Sequence, residues 1–427
     1  MWATVNYLRQ QWMTQGSFSQ QVASTFFVQS LTLGIALVNG AIIARSLGTE
    51  GKGLVQLSML IPAMLNLFLS GGLGVANVYF SGKQLLPINA ISRTSVTYVI
   101  LATGIGFLLA VLVFMMGWVK TFLPGVSTTL YILALLGLPL ELLRNFLLSI
   151  LQGLRKIKWL NKISVLYALT LLLSTLILVV VLPLGLSGAV IAYLFASFIG
   201  CLLAIYHLRF VGGEFVPRWE WSEVKSLLSY GLRGYVGNLL QFYNYRLDNF
   251  IVNYYMGSSA VGIYSIAVRL AELLWRFPDA VGFVIFPKAA ATEALAMNRF
   301  TPRIFRLTLV ITLVGGLGLA LVGRPFIIMI YGTAFASAFY PLLWLLPGVV
   351  LLGAAKVLTN EIAGRGFPHY NSLNSGLALL LTVIFDLLLI PNWGITGAAA
   401  ASSIAYGAIF VTSLLAYWRV SRQAALT

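Results

Sequence analysis

Charge is what this chain of 427 residues has least of: 9% of it is Asp, Glu, Lys or Arg, where a soluble globular chain carries about 25%. Acid is the scarcer sign, with eleven Asp and Glu against twenty-seven Lys and Arg. A single cysteine, Cys201, excludes an intramolecular disulfide, and His207 and His369 are too few to build a His/Cys zinc cluster. No glycine-rich loop followed by Lys-Ser/Thr occurs, which removes the usual means of nucleotide hydrolysis; no cofactor and no metal are expected. Residues 1–21 hold one Arg and many Gln and Ser, without the apolar stretch and small-residue cleavage site of a signal peptide, and read as a cytoplasmic leader.

What fills the chain instead is hydrocarbon. Hydrophobic residues make up 59% and the mean hydropathy is +0.93, so the solvent is lipid. Apolar segments recur near 22–44, 54–80, 95–118, 129–151, 163–183, 187–207, 229–255, 260–287, 304–323, 338–360, 372–390 and 395–418. Each is long enough to cross a ~30 Å hydrocarbon core as a helix, and the short alternating strands of a membrane barrel are absent. The apolar run Phe326 to Ile330 leaves the start of the tenth open. The formal net charge of +16 does not point to nucleic acid, because the basic residues sit in short connectors with no soluble domain to hold a strand. With the N-terminus inside, seventeen Lys and Arg fall in connectors on the inner side and four (Arg45, Lys52, Lys120, Arg324) on the outer side. That bias places both termini in the cytoplasm, in a multi-pass protein of the inner membrane.

Glycines repeat at an offset of 209 residues: Gly48 with Gly257, Gly53 with Gly262, Gly106 with Gly315, Gly185 with Gly394 and Gly188 with Gly397. Chance gives roughly two such pairs, and here all five fall in corresponding elements. The chain therefore divides into a leader (1–21), a six-helix lobe (22–208), a cytoplasmic connector (209–228), a second six-helix lobe (229–418) and a tail (419–427). An even number of spans per half relates the lobes by an axis along the membrane normal, the plan of a rocking carrier. The fold class is all-α, polytopic, with about twelve helices in two homologous lobes.

Ionisable groups inside spans are costly and mark a partner or a wet cavity. In the eighth span Arg269, Glu272, Arg276 and Asp279 fall within about 80° of arc. In the seventh, Asn238, Gln241, Tyr245, Asp248 and Asn249 fall within about 100°, with Arg246 beside them. Internal ion pairs account for such stripes, and so does the wall of a polar cleft. Guanidinium groups suit phosphate because the planar fork engages two oxygens and stays charged. Arg144, three residues after Glu141, is a further cation that the same spacing pairs locally. Asp248, Glu272, Asp279 and Asp386 are the candidate ion-coupling carboxylates.

The stretch Ala44 to Leu54 (ARSLGTEGKGL), Gly72-Leu73-Gly74, Asn77 to Gly82, Arg246-Leu247-Asp248, Met256-Gly257, Val261 to Tyr264, Arg269-Leu270 and Pro287 resemble the polysaccharide-transporter, O-antigen flippase-like branch of the multidrug/oligosaccharidyl-lipid/polysaccharide exporter superfamily. The resemblance implies a carrier, not an enzyme, that moves a polyprenyl-pyrophosphate-linked oligosaccharide across the membrane by alternating access. Its implied partners are the lipid-linked glycan, membrane lipid, and a glycan polymerase or glycosyltransferases. Arg144, Arg246, Arg269, Arg276, Asn238, Gln241 and Tyr245 are the substrate-binding candidates. The competing expectation is an exporter of hydrophobic cations with the same fold, in which Asp248, Glu272 or Asp279 would hold the substrate. A membrane glycosyltransferase or polymerase would need a sizeable extramembrane loop, and the longest connector, 208–228, is about twenty residues long.

Overall fold

The structure, a computed structural model, describes residues 18–291 and 294–426. Most of the expected leader, Arg9 included, lies outside the described residues. Among those described, the chain is helical throughout and contains no strand. The helices are α1 (Phe18–Ser70), α2 (Leu73–Gly82), α3 (Ile88–Met115), α4 (Trp118–Phe122), α5 (Thr128–Leu135), α6 (Gly137–Gly153), α7 (Ile157–Thr175), α8 (Gly185–Arg209), α9 (Trp221–Arg246), α10 (Asp248–Glu272), α11 (Arg276–Ala291), α12 (Ala294–Tyr331), α13 (Phe339–Gly364), α14 (His369–Trp393) and α15 (Ile395–Leu426).

Among the described residues, ten helical stretches are long and apolar enough to cross a membrane. Two of them, Phe27–Ser70 with 44 residues and Tyr235–Phe286 with 52, are too long to cross once, because a straight helix of that length would measure about 66 to 78 Å. Gly48 (φ 69) breaks the first and Gly257 (φ 80) the second. Both glycines take the left-handed conformation that a side chain disfavours, and each turns the chain back. The two stretches thus supply four crossings, and the chain crosses twelve times.

Two boundaries differ from the sequence reading. The apolar run 326–330 is no separate segment: α12 continues through Pro325 to Tyr331 and stops at Gly332 (φ 99). Pro325 costs the helix one backbone hydrogen bond, and nearly two further turns follow it. A 3-10 turn, Thr333–Ala338, then leads into α13. The segment expected as connector up to residue 228 is already helical from Trp221. Its first turns hold Ser222, Glu223, Lys225 and Ser226, polar residues that hydropathy alone does not recognise as helix.

Two of the contacts between the lobes bring backbone against backbone. After the turns at Gly48 and Gly257, Gly53 and Gly262 face one another. A Cβ on Gly53 would lie 1.7 Å from the Ser258 carbonyl oxygen, and one on Gly262 would lie 2.1 Å from that of Thr49. Thr49 and Ser258 are themselves related by the 209-residue repeat, so the approach is reciprocal about a twofold axis. The Ser259 hydroxyl donates to Thr49 Oγ1 at 2.8 Å. This seal lies at the membrane face opposite the basic connectors. The second contact sets Gly72 against Gly231, each admitting the other's backbone. There Tyr79 stacks on Tyr230 with centroids 4.1 Å apart, and the Tyr235 hydroxyl donates to the Phe68 carbonyl at 2.5 Å.

Candidate functional site

Below the seal, α10 and α11 carry the predicted charge stripe. At 1.5 Å per residue, Arg269 stands about 10 Å from Gly262 along the helix, and Arg276 and Asp279 stand about 20 and 25 Å away. Arg269, Arg276 and Asp279 are exposed although they belong to a stretch able to span a membrane. Exposure of several ionised groups at that depth calls for water rather than lipid beside them, a condition that a polar cleft would meet. Asn238 of α9 is exposed as well.

Most charges of the interior neutralise one another in pairs. Arg246 Nη1 donates to Glu272 Oε1 at 2.9 Å. Lys356 Nζ of α13 donates to Asp279 Oδ1 at 2.7 Å and lies 4.4 Å from the centre of the Trp275 ring. Arg144 pairs with Glu141 at 3.1 Å and stacks 4.4 Å over Tyr167, within the first lobe. Glu361 and Arg365 form a buried pair at the base of the second lobe, where Arg365 also donates to Asn298 Oδ1 at 2.7 Å. Arg269 and Arg276 take part in no ion pair among the described residues. Gln241 donates to the Tyr245 hydroxyl at 2.9 Å. The Tyr245 ring packs against Trp275 and Tyr406, with centroids 5.1 and 5.8 Å away.

Sequence reasoning missed one cation. Lys52 counts as a connector charge by position, yet it is 7% exposed and forms no ion pair among the described residues. It adjoins Gly53 at the seal and lies within electrostatic reach of Arg269. Tyr331, 2% exposed, also lies within reach of Arg269, and its hydroxyl has no hydrogen-bond partner. At the closed seal, then, the Lys52 amine of the first lobe lies within reach of Arg269 of the second, and so does the Tyr331 hydroxyl. The signal that could have found Lys52 is its place between Gly51 and Gly53, since glycines at repeat-related turns mark a close approach and not an open loop.

Two remaining carboxylates lie inside the second lobe. Asp248 is almost wholly buried, accepting from the Tyr264 hydroxyl at 2.7 Å and from the Asn249 backbone and side-chain amides, each at 2.8 Å. Asp386 of α14 is 0% exposed, and neither of its oxygens has a hydrogen-bond partner. The two acids are electrostatic neighbours, and Tyr264 feels both. One turn before Asp386, the Thr382 hydroxyl donates to Asn244 Oδ1 at 2.7 Å. Ser402 of α15 is buried within reach of the Tyr264 hydroxyl. Two acids with amide and hydroxyl groups beside them are the donor types that a small hard cation or a proton takes. Helix phase found Asp248, but it could not show that Asp386, 138 residues later, shares the same interior.

Residues 42–339, more than half of the chain, match the family described as polysaccharide biosynthesis protein. The chain belongs to that family. It is 28% identical over 203 residues to the probable flippase AglR of Haloferax volcanii, a match covering 45% of this chain and 42% of AglR. Among solved structures, the lipid II flippase MurJ in an inward closed conformation superposes with a TM-score of 0.73 at 16% identity, covering 95% of this chain and 91% of MurJ. An inward-facing multidrug resistance transporter of the MATE family gives 0.73 at 17% identity, covering 92% of this chain and 94% of the other. The fold is thus shared by flippases and drug transporters, and it does not decide between them. The family membership and the charges at the cleft must.

Proposed function

We propose that this member of the polysaccharide biosynthesis protein family is a flippase that carries a lipid-linked, pyrophosphate-bearing oligosaccharide across the cytoplasmic membrane, with its termini on the cytoplasmic side. It acts by alternating access, as a carrier and not as an enzyme. One observation carries the reading: once the ion pairs are drawn, the charges of the α10–α11 stripe left without a partner are the two arginines, Arg269 and Arg276. Of the acids a cation exporter would use, Glu272 and Asp279 are held by Arg246 and Lys356, and Asp248 is held inside the second lobe by Tyr264 and Asn249. Arg269, Arg276 and Lys52 have no such partner. A pyrophosphate would engage Arg269 and Arg276, while Asn238 offers an amide to the sugars and the polyprenyl tail stays in the bilayer.

The Asp248–Asp386 pair is proposed as the coupling site for a proton or sodium ion. An acid with both oxygens unsatisfied and a second acid nearby is costly unless a cation neutralises them, so occupancy is linked to the packing of α10, α14 and α15. The test is transbilayer movement of a fluorescent polyprenyl-pyrophosphate oligosaccharide in proteoliposomes. Wild type should move it, and Arg269→Ala and Arg276→Ala should each lose most of that activity. Wild type that leaves the lipid in place but extrudes hydrophobic cations would transfer the protein to the drug-transporting group.

A further inference from the structure

We infer that the first lobe carries a binding site for one anionic phospholipid of the basic-side leaflet, where the α6–α7 turn meets the end of α8. The turn reads Arg155-Lys156-Ile157-Lys158-Trp159, followed by Lys162, and α8 ends at Arg209. Between Glu141 and Glu214 the sequence contains no acidic residue, and Glu214 is itself paired with Arg93 at 3.2 Å. Lys158, Lys162 and Arg209 are exposed and form no ion pair among the described residues.

Aromatic contacts fix this cluster in place. Trp159 stacks on His207 with centroids 3.7 Å apart, which ties the start of α7 to the end of α8. Lys162 Nζ lies 5.7 Å from the Trp159 ring centre. Tyr206 and Phe210 meet edge to face at 4.8 Å, and Phe210 is 71% exposed. Upward from this end, Phe195, Phe198, Leu202, Tyr206 and Phe210 form an exposed apolar stripe on one face of α8. At helical rise the stripe is about 22 Å long, more than the ~15 Å of one leaflet of a ~30 Å core. Cations at the foot of an acyl-length apolar track, with aromatic rings at the headgroup level, have the form of a whole phospholipid with an acidic head.

Retention of charge on the inner side does not by itself account for the cluster. The repeat-related turn of the second lobe, 364–371, holds one Lys or Arg, Arg365, which is buried against Glu361, while the counterpart of the α8 end carries exposed Arg419 and Arg422. The turn itself therefore needs no exposed cation, yet that of the first lobe has Lys158 and Lys162.

The test is lipid retention by the purified full chain. Wild type is exchanged into detergent from membranes of mixed phosphatidylglycerol and phosphatidylcholine, and bound lipid is counted by native mass spectrometry. Phosphatidylglycerol should be retained in preference, and Lys158→Gln with Lys162→Gln should lower its retention about ten-fold or more. Lys158→Arg with Lys162→Arg should keep it, and Lys120→Gln on the other side should not change it. Phe210→Ser should weaken retention of the lipid without touching the charges. Equal retention of both lipids, or unchanged retention in the double Gln variant, overturns the proposal. So does displacement by millimolar inorganic phosphate in wild type with Phe210→Ser silent, which would make the site one for free phosphate. All these side chains are at the surface, and unfolding temperatures equal to wild type show that the variants fold.

Discussion

Lys52 and Arg246 are both basic side chains of the interior, and their surroundings predict opposite consequences of losing them. Lys52 has no acid to leave behind, so Lys52→Gln should fold as well as wild type and lower flipping about ten-fold, roughly the value of one charge-assisted contact, while Lys52→Arg keeps most of it. Arg246 neutralises Glu272, and Arg246→Gln strands a half-buried carboxylate. We expect a loss on the order of 1–3 kcal/mol in stability, seen as a lower unfolding temperature, with Glu272→Gln as a second change recovering part of it. How legible these residues were follows from their geometry. Arg269 and Arg276 could be read from the 3.6-residue period, which also grouped them with Glu272 and Asp279. The period says nothing about partners on other helices, so the pairing of Glu272 with Arg246 and of Asp279 with Lys356 was hidden, and with it the sign of the charge left over.

At the scale of the element, the turns at Gly48 and Gly257 act as a matched pair of elbows whose tips touch. Gly53→Ala or Gly262→Ala puts a methyl where a carbonyl oxygen already sits, and backbone on both sides cannot yield. Either variant should hold the seal apart. In a Cys201→Ser background, a cysteine placed at Ser259 should react with a membrane-impermeant maleimide several-fold faster when Gly53→Ala is present. Gly34→Ala, where a Cβ would meet nothing within 4 Å, should leave the rate unchanged. The glycine repeat was visible in the sequence, and its even spacing gave the two lobes. That the repeated glycines face each other was not visible, because a repeat fixes correspondence and not contact. The run 326–330 stayed open for a related reason: Pro325 usually ends a helix, and nothing local shows that nearly two more turns follow it.

On the scale of the whole molecule, the twelve crossings and the all-helical class were legible, because lipid permits few other solutions for so apolar a chain. The buried acids are unevenly divided. The second lobe holds the Asp248–Asp386 neighbours, whereas the repeat equivalents of these acids in the first lobe are Asn39 and Ile177. If the cage couples flipping to an ion gradient, wild type should accumulate the lipid-linked glycan in one leaflet only while the gradient is maintained. Asp386→Asn should instead equilibrate it between leaflets whether or not a gradient is applied, as measured by leaflet-specific quenching of the fluorescent glycan.

The seal has a consequence of its own. Because its tightest contact is main chain against main chain, with glycine on both sides, that contact reads no feature of the cargo. A change of glycan over evolutionary time would therefore leave the gate untouched and be written into the cleft walls. Descendants of such a protein can diversify their cargo by surface substitutions while inheriting the same hinge and the same engine.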